Sequence, residues 1–324
     1  MIRYILQRLF GMIVVMFLVV TIVFVIVRVT PGDPAAVMLG PDATPQDIAD
    51  LRSRLGLDQS LGLQYVYYIG QLLKGDLGQS IFLNMPVTSA LLDRAEPTFF
   101  LTLFSLAIAS VIALPIGIYA AYRRGSFVDQ AATTLAMFAA SIPSFWLGLV
   151  LSIAFSVKLR WFPVAGIETI ASGKTGFSRA LDIADHLVLP VGSLALIYLA
   201  LFLRVMRAGM VEAWKLDFVL FARAKGLSRS RVVLRHVARN ALLPLITMLG
   251  LQSAALLGGS VVIESVFAIP GFGRLAQEAV NGRDAPLLMG IIVTSAVLVI
   301  SVNFLVDLIY AALDPRIGAS EGGA

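Results

Sequence analysis

The residues that could do chemistry are few, and most fail on spacing. SGKTGFS (172–178) contains Gly-Lys-Thr, a fragment of a phosphate-binding loop. The full loop needs another glycine about five residues before Gly173, and that position is Glu168. There is no GxSxG elbow, no HExxH pair and no pair of carboxylates beside a base. The chain has no cysteine and two histidines, His186 and His236. Thiolate chemistry is excluded, little is left for a histidine metal site, and no metal ligand is assigned. What remains is charge. FVLFARAKGLSRSRVVLRHVARNALLPL (218–245) holds six basic residues among 28 and no acidic one. Such a block can bind nucleic acid, bind anionic lipid or dock a protein.

The elements around the block narrow that choice. Of the 324 residues 58% are hydrophobic and 14% charged, and mean hydropathy is +0.88. A soluble domain is nearer half apolar and a quarter charged. A membrane-crossing helix takes about 20 apolar residues. Six segments qualify, near 9–28, 99–121, 132–156, 187–206, 241–263 and 287–311. The first apolar run, Leu9 to Val27, is longer than a signal-peptide core, so an uncleaved anchor is expected. With the N-terminus inside, the inside segments carry 14 basic and six acidic residues, a balance of +8. The outside segments then balance at −3. Lys and Arg are retained inside, so both termini are placed there. Pro115, Pro143, Pro190 and Pro244 fall in or at the ends of spans, where they are expected to kink helices.

Between the first two spans, TPGDP (30–34) stops the first helix. Thr44 caps a new helix with Pro45 in its first turn and Asp47 at its positive end. Ile48, Leu51 and Leu55 share one face, and Gly56 ends it. A second amphipathic helix is expected from about Leu61 to Lys74, with Tyr65, Ile69 and Leu72 on one side and Gly75 after it. These helices form a small outside cap whose apolar faces pack on the spans.

The loop from about Arg204 to Arg239 is the longest inside segment. Met210, Trp214 and Phe218 recur at helical spacing, and Phe221 or Ala222 extends the stripe. An amphipathic helix outside the bilayer is expected, with Lys225 in its last turn and Gly226 ending it in a left-handed conformation. Ser228 caps the next helix, where Arg231, Arg235 and Arg239 form a positive stripe running back to the membrane at Leu243-Pro244. Positive-inside bias explains the charge alone, but not an uncovered Trp214/Phe218/Phe221 face. A helix, a glycine turn and a helix suit a joint for a partner's groove. The stripe is left open between lipid headgroups and a partner's acids. Nucleic acid is disfavoured, because the block is tethered at a membrane and has no stacking platform.

The same loop, FARAKGLSRSRVVLRHVARNALLP (221–244), resembles the cytoplasmic coupling loop of ABC importer permeases of the dipeptide/oligopeptide/nickel group. RVTPGDPA (28–35), LGLDQSL (55–61), GDLGQS (75–80), SIPSFWLG (141–148), VIESVFAIPGFGRL (262–275) and ALDPR (312–316) are similar to that family too. The likeness spans nearly the whole chain and suits the first, B-type, subunit. It departs where the family signature has Glu and Ala: Leu220 and Phe221 stand there, while Ala222 and Gly226 fit. The resemblance implies an all-α, six-span, N-in/C-in fold of the type I ABC importer permease kind in a bacterial plasma (inner) membrane. It divides the chain into 1–98 (first span and outside segment), 99–311 (permease core with coupling loop 207–240) and 312–324 (inside tail).

The resemblance also implies a non-catalytic subunit that binds no cofactor, with ATP and Mg on partner subunits. The partners implied are a homologous second permease, one or two cytoplasmic ATPase subunits, an extracytoplasmic substrate-binding protein and membrane lipid. Trp214, Phe218, Phe221, Ala222, Arg223, Ala224, Lys225, Gly226 and Leu227 then couple to the ATPase. Among polar residues in or near spans, Gln252 and Glu264 are candidates for the translocation path. Short peptides are the expected cargo, with nickel, glutathione or another small solute as the alternative. An ATP-independent channel or secondary transporter is the reading from a different class. The near absence of ionisable residues within the spans counts against it.

Overall fold

A computed structural model describes residues 2–29, 34–39, 43–54 and 56–313. Most of TPGDP, Leu55, and most of ALDPR and the inside tail lie outside the described residues. The described chain is helical, and no strand forms beyond one isolated bridge between Gln79 and Pro86. Five helices are long and apolar enough to cross a membrane. They are α1 (Ile2–Val29), α5 (Val87–Tyr122), α8 (Gly176–Ala213), α11 (Ala238–Leu257, entered from Arg229) and α14 (Ala285–Leu313). A bent pair, α6 (Phe127–Ser141) and α7 (Ser144–Leu151, wound on to Lys158 as a π turn), supplies the sixth crossing. An even number of crossings puts both ends on one side, and the charge asymmetry makes that side the inside.

Three spans differ from the sequence expectation. The third, expected as one helix over 132–156, bends by 96° between Ser141 and Ser144. Pro143 has no N–H to give, and Ile142 before it is forced to extended geometry (φ −82°, ψ 125°), so the helix restarts beyond it. The fourth, expected over 187–206, runs 38 residues from Gly176 to Ala213, longer than the about 20 that a crossing needs. The fifth ends at Leu257, six residues before the expected end at position 263, because Gly258-Gly259 turns the chain into a short helix, α12 (Val261–Val266). Pro115, Pro190 and Pro244 sit inside α5, α8 and α11, as does Pro97 inside α5.

The centre of the bundle is α8, packed against α5, α6 and α11, while α14 lies between α11 and α1. Small residues bring the backbones close, as expected where lipid gives no hydrophobic drive between helices. Gly117 of α5 meets Met206 of α8, Gly209 of α8 meets Ala241 of α11, and Gly250 of α11 meets Val306 of α14. Phe202, Met206, Met210 and Leu245 are buried in the resulting core.

The outside segment follows its sequence cues. In α3 (Pro45–Arg54) the Thr44 Oγ1 accepts from the Asp47 N–H at 3.2 Å, and the Asp47 carboxylate accepts from the Thr44 N–H and hydroxyl. This reciprocal cap holds the Asp47 carboxyl below the usual carboxylate range. In α4 (Leu61–Leu73) Tyr65 meets Phe24 of α1 edge-on and Tyr68 stacks on it, with ring centroids 5.2 and 5.8 Å away. The outside helix therefore packs on the first span.

Candidate functional site at the inside face

The inside joint is built where α8 stops. Its last turn closes at Ala213, and Trp214, Lys215 and Leu216 make a turn before α9 (Asp217–Ala224). Met210, Trp214 and Phe218 are thus not one continuous helical stripe, because the helix breaks between them. Val219 and Ala222 of α9 are buried in the core, and Trp214, Phe218 and Leu227 pack partly against it. The face left to solvent is a different one from that expected. Leu220 and Phe221 are 68% and 67% exposed, and Leu216, just before α9, is exposed too. Of the expected Trp214/Phe218/Phe221 face, only Phe221 stands free. The residues that depart from the family signature, Leu220 and Phe221, are the ones presented outward.

Gly226 ends α9 at φ +74°, with its N–H bonded to the Arg223 carbonyl at 2.9 Å. Nothing lies within 4 Å of where a side chain would start there, so the glycine serves the backbone and not packing. Lys225 is the residue capping α9, while Arg223 and Ala224 end the helix proper and are exposed. Ser228 precedes α10 (Arg229–Val232), yet its hydroxyl makes no capping bond and faces Ser230 instead. A π turn over Val233–Val237 joins α10 to α11. Arg231, Arg235 and Arg239 are all exposed, but that π turn interrupts the regular helical spacing between them.

One device here was not read from the sequence. Arg207 of α8 grips Asp129 of α6 through two bonds, Nε to Oδ1 at 2.5 Å and Nη2 to Oδ2 at 2.9 Å. Asp129 also accepts from the Gly125 N–H at 2.9 Å, and its own N–H meets the Ser126 hydroxyl. A bidentate guanidinium–carboxylate pair fixes angle as well as distance. The turn at 123–126 is thereby clamped to the end of α8, directly above the joint. The only sequence signal was a lone acid in a segment otherwise basic.

The two path candidates separate. Gln252 is half-buried in the outer third of α11. Glu264 is fully buried within the chain rather than open at a surface. Its carboxylate accepts from the Thr98 hydroxyl (3.2 Å), the Ser260 N–H (3.3 Å) and the Arg274 N–H (2.9 Å). Thr98 in turn accepts from the Phe272 N–H at 2.9 Å. Glu264 is the centre of a knot at the outer end of the bundle, holding α5 to α12 and to α13 (Phe272–Asn281). Gly271 is required there, because a side-chain carbon would start 2.5 Å from the Glu264 carboxyl carbon. This accounts for IESVFAIPGFG (263–273). GDLGQS is accounted for in the same way. Asp284 is 1% exposed and accepts from the Ser80 hydroxyl (2.6 Å) and the Phe82 N–H (2.9 Å).

Six crossings, an inside joint between the fourth and fifth, and an outside knot define the architecture. The binding-protein-dependent transport system inner membrane component model matches residues 113–319, and its N-terminal companion matches residues 1–102. The chain belongs to this family. It is the membrane-spanning permease subunit of an ABC importer and a multi-pass inner membrane protein. ABC importer permeases work with ATPase subunits, a second permease and a substrate-binding protein.

Two relatives fix the neighbourhood of this permease. It is 39% identical over 317 residues to the glutathione transport system permease protein GsiC of Salmonella choleraesuis, covering 98% of this chain and 99% of that protein. It is 38% identical over 314 residues to a Sinorhizobium fredii protein named "Probable peptide ABC transporter permease protein y4tP", covering 97% and 98%. Among solved structures, an inward-facing MetNI methionine ABC transporter aligns over 70% of this chain and 97% of its own, at TM-score 0.52 and 20% identity. An amino acid ABC transporter crystallised with histidines aligns over 68% and 93%, at TM-score 0.51 and 17% identity. At that identity the likeness speaks for the fold, that of type I ABC importer permeases.

Proposed function

We propose that this permease forms half of a translocation path for short peptides, and that α9 is the element through which ATP hydrolysis on partner subunits moves it. The observation that carries the reading is the outward pair Leu220 and Phe221. They sit on a helix whose opposite face, Val219 and Ala222, is anchored in the core. An apolar ridge on a short, rigidly backed helix fits a groove in a partner. In this reading one or two cytoplasmic ATPase subunits supply that groove and hold ATP and Mg. The chain itself binds no cofactor and catalyses nothing. A homologous second permease completes the path, and an extracytoplasmic binding protein delivers the cargo. Residues 214–227 form the coupling segment, with Trp214, Phe218, Ala222 and Leu227 supporting it from behind and Phe221, Arg223, Ala224 and Lys225 facing the partner. Gln252 remains the path candidate; Glu264 does not.

Glutathione, itself a modified tripeptide, is the second reading of the cargo, favoured by the GsiC relatives at 39% identity. Specificity between the two rests with the delivering protein. Leu220→Asp combined with Phe221→Asp tests the coupling role. The ATPase subunits should no longer co-purify, and binding-protein-stimulated hydrolysis should fall to the unstimulated level, while the variant inserts normally. Wild-type co-purification and stimulation would sink it.

A further inference from the structure

Beside the joint, and sharing Trp214 and Lys215 with its first turn, lies a cavity of about 290 Å³ at the inside end of the bundle. Tyr122, Arg124, Met210, Trp214, Lys215 and Arg229 line it, and its lining contains no carboxylate. The Arg229 guanidinium is held in place rather than free. It stacks over the Tyr122 ring at 4.8 Å and the Trp214 ring at 5.8 Å, and its Nη2 donates to the Tyr122 carbonyl at 3.3 Å. None of these contacts neutralises it. Arg124 and Lys215 form no ion pair among the described residues. Asp129 feels the Arg124 charge but is gripped by Arg207 and the Gly125 N–H, and Glu212 and Asp217, which flank Lys215 in sequence, are not part of the lining. Three cations on one cavity wall that holds no carboxylate call for an anion from outside the chain.

The place of the cavity at the helix ends says which anion. Tyr122 is the last residue of α5, and Trp214 directly follows the last residue of α8, both at the inside ends of membrane-crossing helices. Tyr and Trp at such ends mark the headgroup level. The floor, Met210 and Val211, continues into the apolar part of α8. We infer that this cavity is a binding site for the phosphate of an anionic phospholipid of the inner leaflet. The phosphodiester sits among Arg124, Lys215 and Arg229, and the glycerol and first methylenes lie along Met210 and Val211. The site is separate from the exposed Arg231, Arg235 and Arg239.

The test is lipid retention by the full chain, purified from vesicles of equal phosphatidylglycerol and phosphatidylcholine and read by native mass spectrometry. Phosphatidylglycerol should be retained selectively. Arg229→Gln and Lys215→Gln should each lower retention about five-fold, the worth of one interfacial cation. Lys215 is exposed and supports no neighbour, so its replacement keeps the test independent of folding. Arg123→Gln removes the same charge one residue from Arg124 but outside the cavity, and should leave retention unchanged. An equal loss in Arg123→Gln would reduce the effect to bulk charge and overturn the site. Unchanged retention in both cavity variants would overturn it as well. Displacement of the lipid by millimolar inorganic phosphate would reassign the cavity to a free anion. Unaltered lipid with loss of a co-purifying protein would reassign it to a partner's acidic side chain.

Discussion

At the outer end of the bundle, Glu264 and Asp284 are 0% and 1% exposed, and each satisfies several donors from segments far apart in sequence. At the inner end, Leu220 and Phe221 are about two-thirds exposed, and Arg124 and Lys215 have no ion-pair partner among the described residues. The outer polar groups are carboxylates surrounded by N–H and O–H donors of their own chain. The inner ones include Arg124 and Lys215, cations that no carboxylate pairs among the described residues. A buried carboxylate with matched donors is complete within one chain, whereas a cluster of cations beside an apolar ridge is complete only with something added. The outer knot therefore closes the subunit on itself, and the inner face is where other molecules join.

The largest expected effect lies in the outer knot. Glu264→Ala strands the Thr98 hydroxyl and the Ser260 and Arg274 N–H groups in a dry site, each worth about 1–3 kcal/mol. Destabilisation above about 3 kcal/mol should appear as a large drop in melting temperature in detergent. Gly271→Val should match it, since its side chain would collide with the same carboxylate. If both variants melt like the parent, the outer end is not self-sufficient and the contrast fails.

Asp129→Ala probes the boundary between the two regimes, a self-satisfied pair placed at the inside. Arg207 is partly exposed, with 28% of its side-chain surface accessible, so the cost is set below that of a fully buried pair, at about 2 kcal/mol. The double replacement Asp129→Leu with Arg207→Met should recover most of that loss, because no charge is left unpaired. A double variant that melts no higher than Asp129→Ala would mean the pair acts through geometry that an apolar contact cannot replace.

Much of this was legible from residue types alone, and the rest was hidden for identifiable reasons. Hydropathy and the inside excess of Arg and Lys locate six crossings, because both signals are local sums. Thr44-Pro45-Gln46-Asp47 gives α3, because a capping box closes within four residues. The break in the third span was present as Pro143, which reads equally as a mild kink until its neighbours are known. The joint was located, but its outward face was misassigned, since helical spacing was extended across the break at Trp214–Leu216. The knots were not legible at all. Glu264 meets Thr98 across 166 residues and Asp284 meets Ser80 across 204, and no local pattern encodes such pairings.

On the inner side, single changes should separate docking from stability. Phe221→Asp alone should leave melting within about 0.5 kcal/mol of the parent. It should weaken ATPase docking by about 2 kcal/mol or more, as expected for an apolar anchor at the centre of an interface. A variant that both melts early and docks weakly would show Phe221 to be part of the core.

The smallest effect is expected at Gly226. Alanine meets no atom there, so only the left-handed backbone is penalised, by about 1–2 kcal/mol locally. Because α9 is held from behind by Val219 and Ala222, that strain should fray the helix end rather than unfold the chain. Amide exchange at 222–227 should quicken while the exchange of α8 and α11 stays unchanged. Gly226→Asn, which tolerates positive φ better, should fall between alanine and the parent. If alanine instead lowers the melting temperature of the whole chain, the turn belongs to the closed, self-supporting part of the molecule, and the line between the two regions must be redrawn nearer to Leu220.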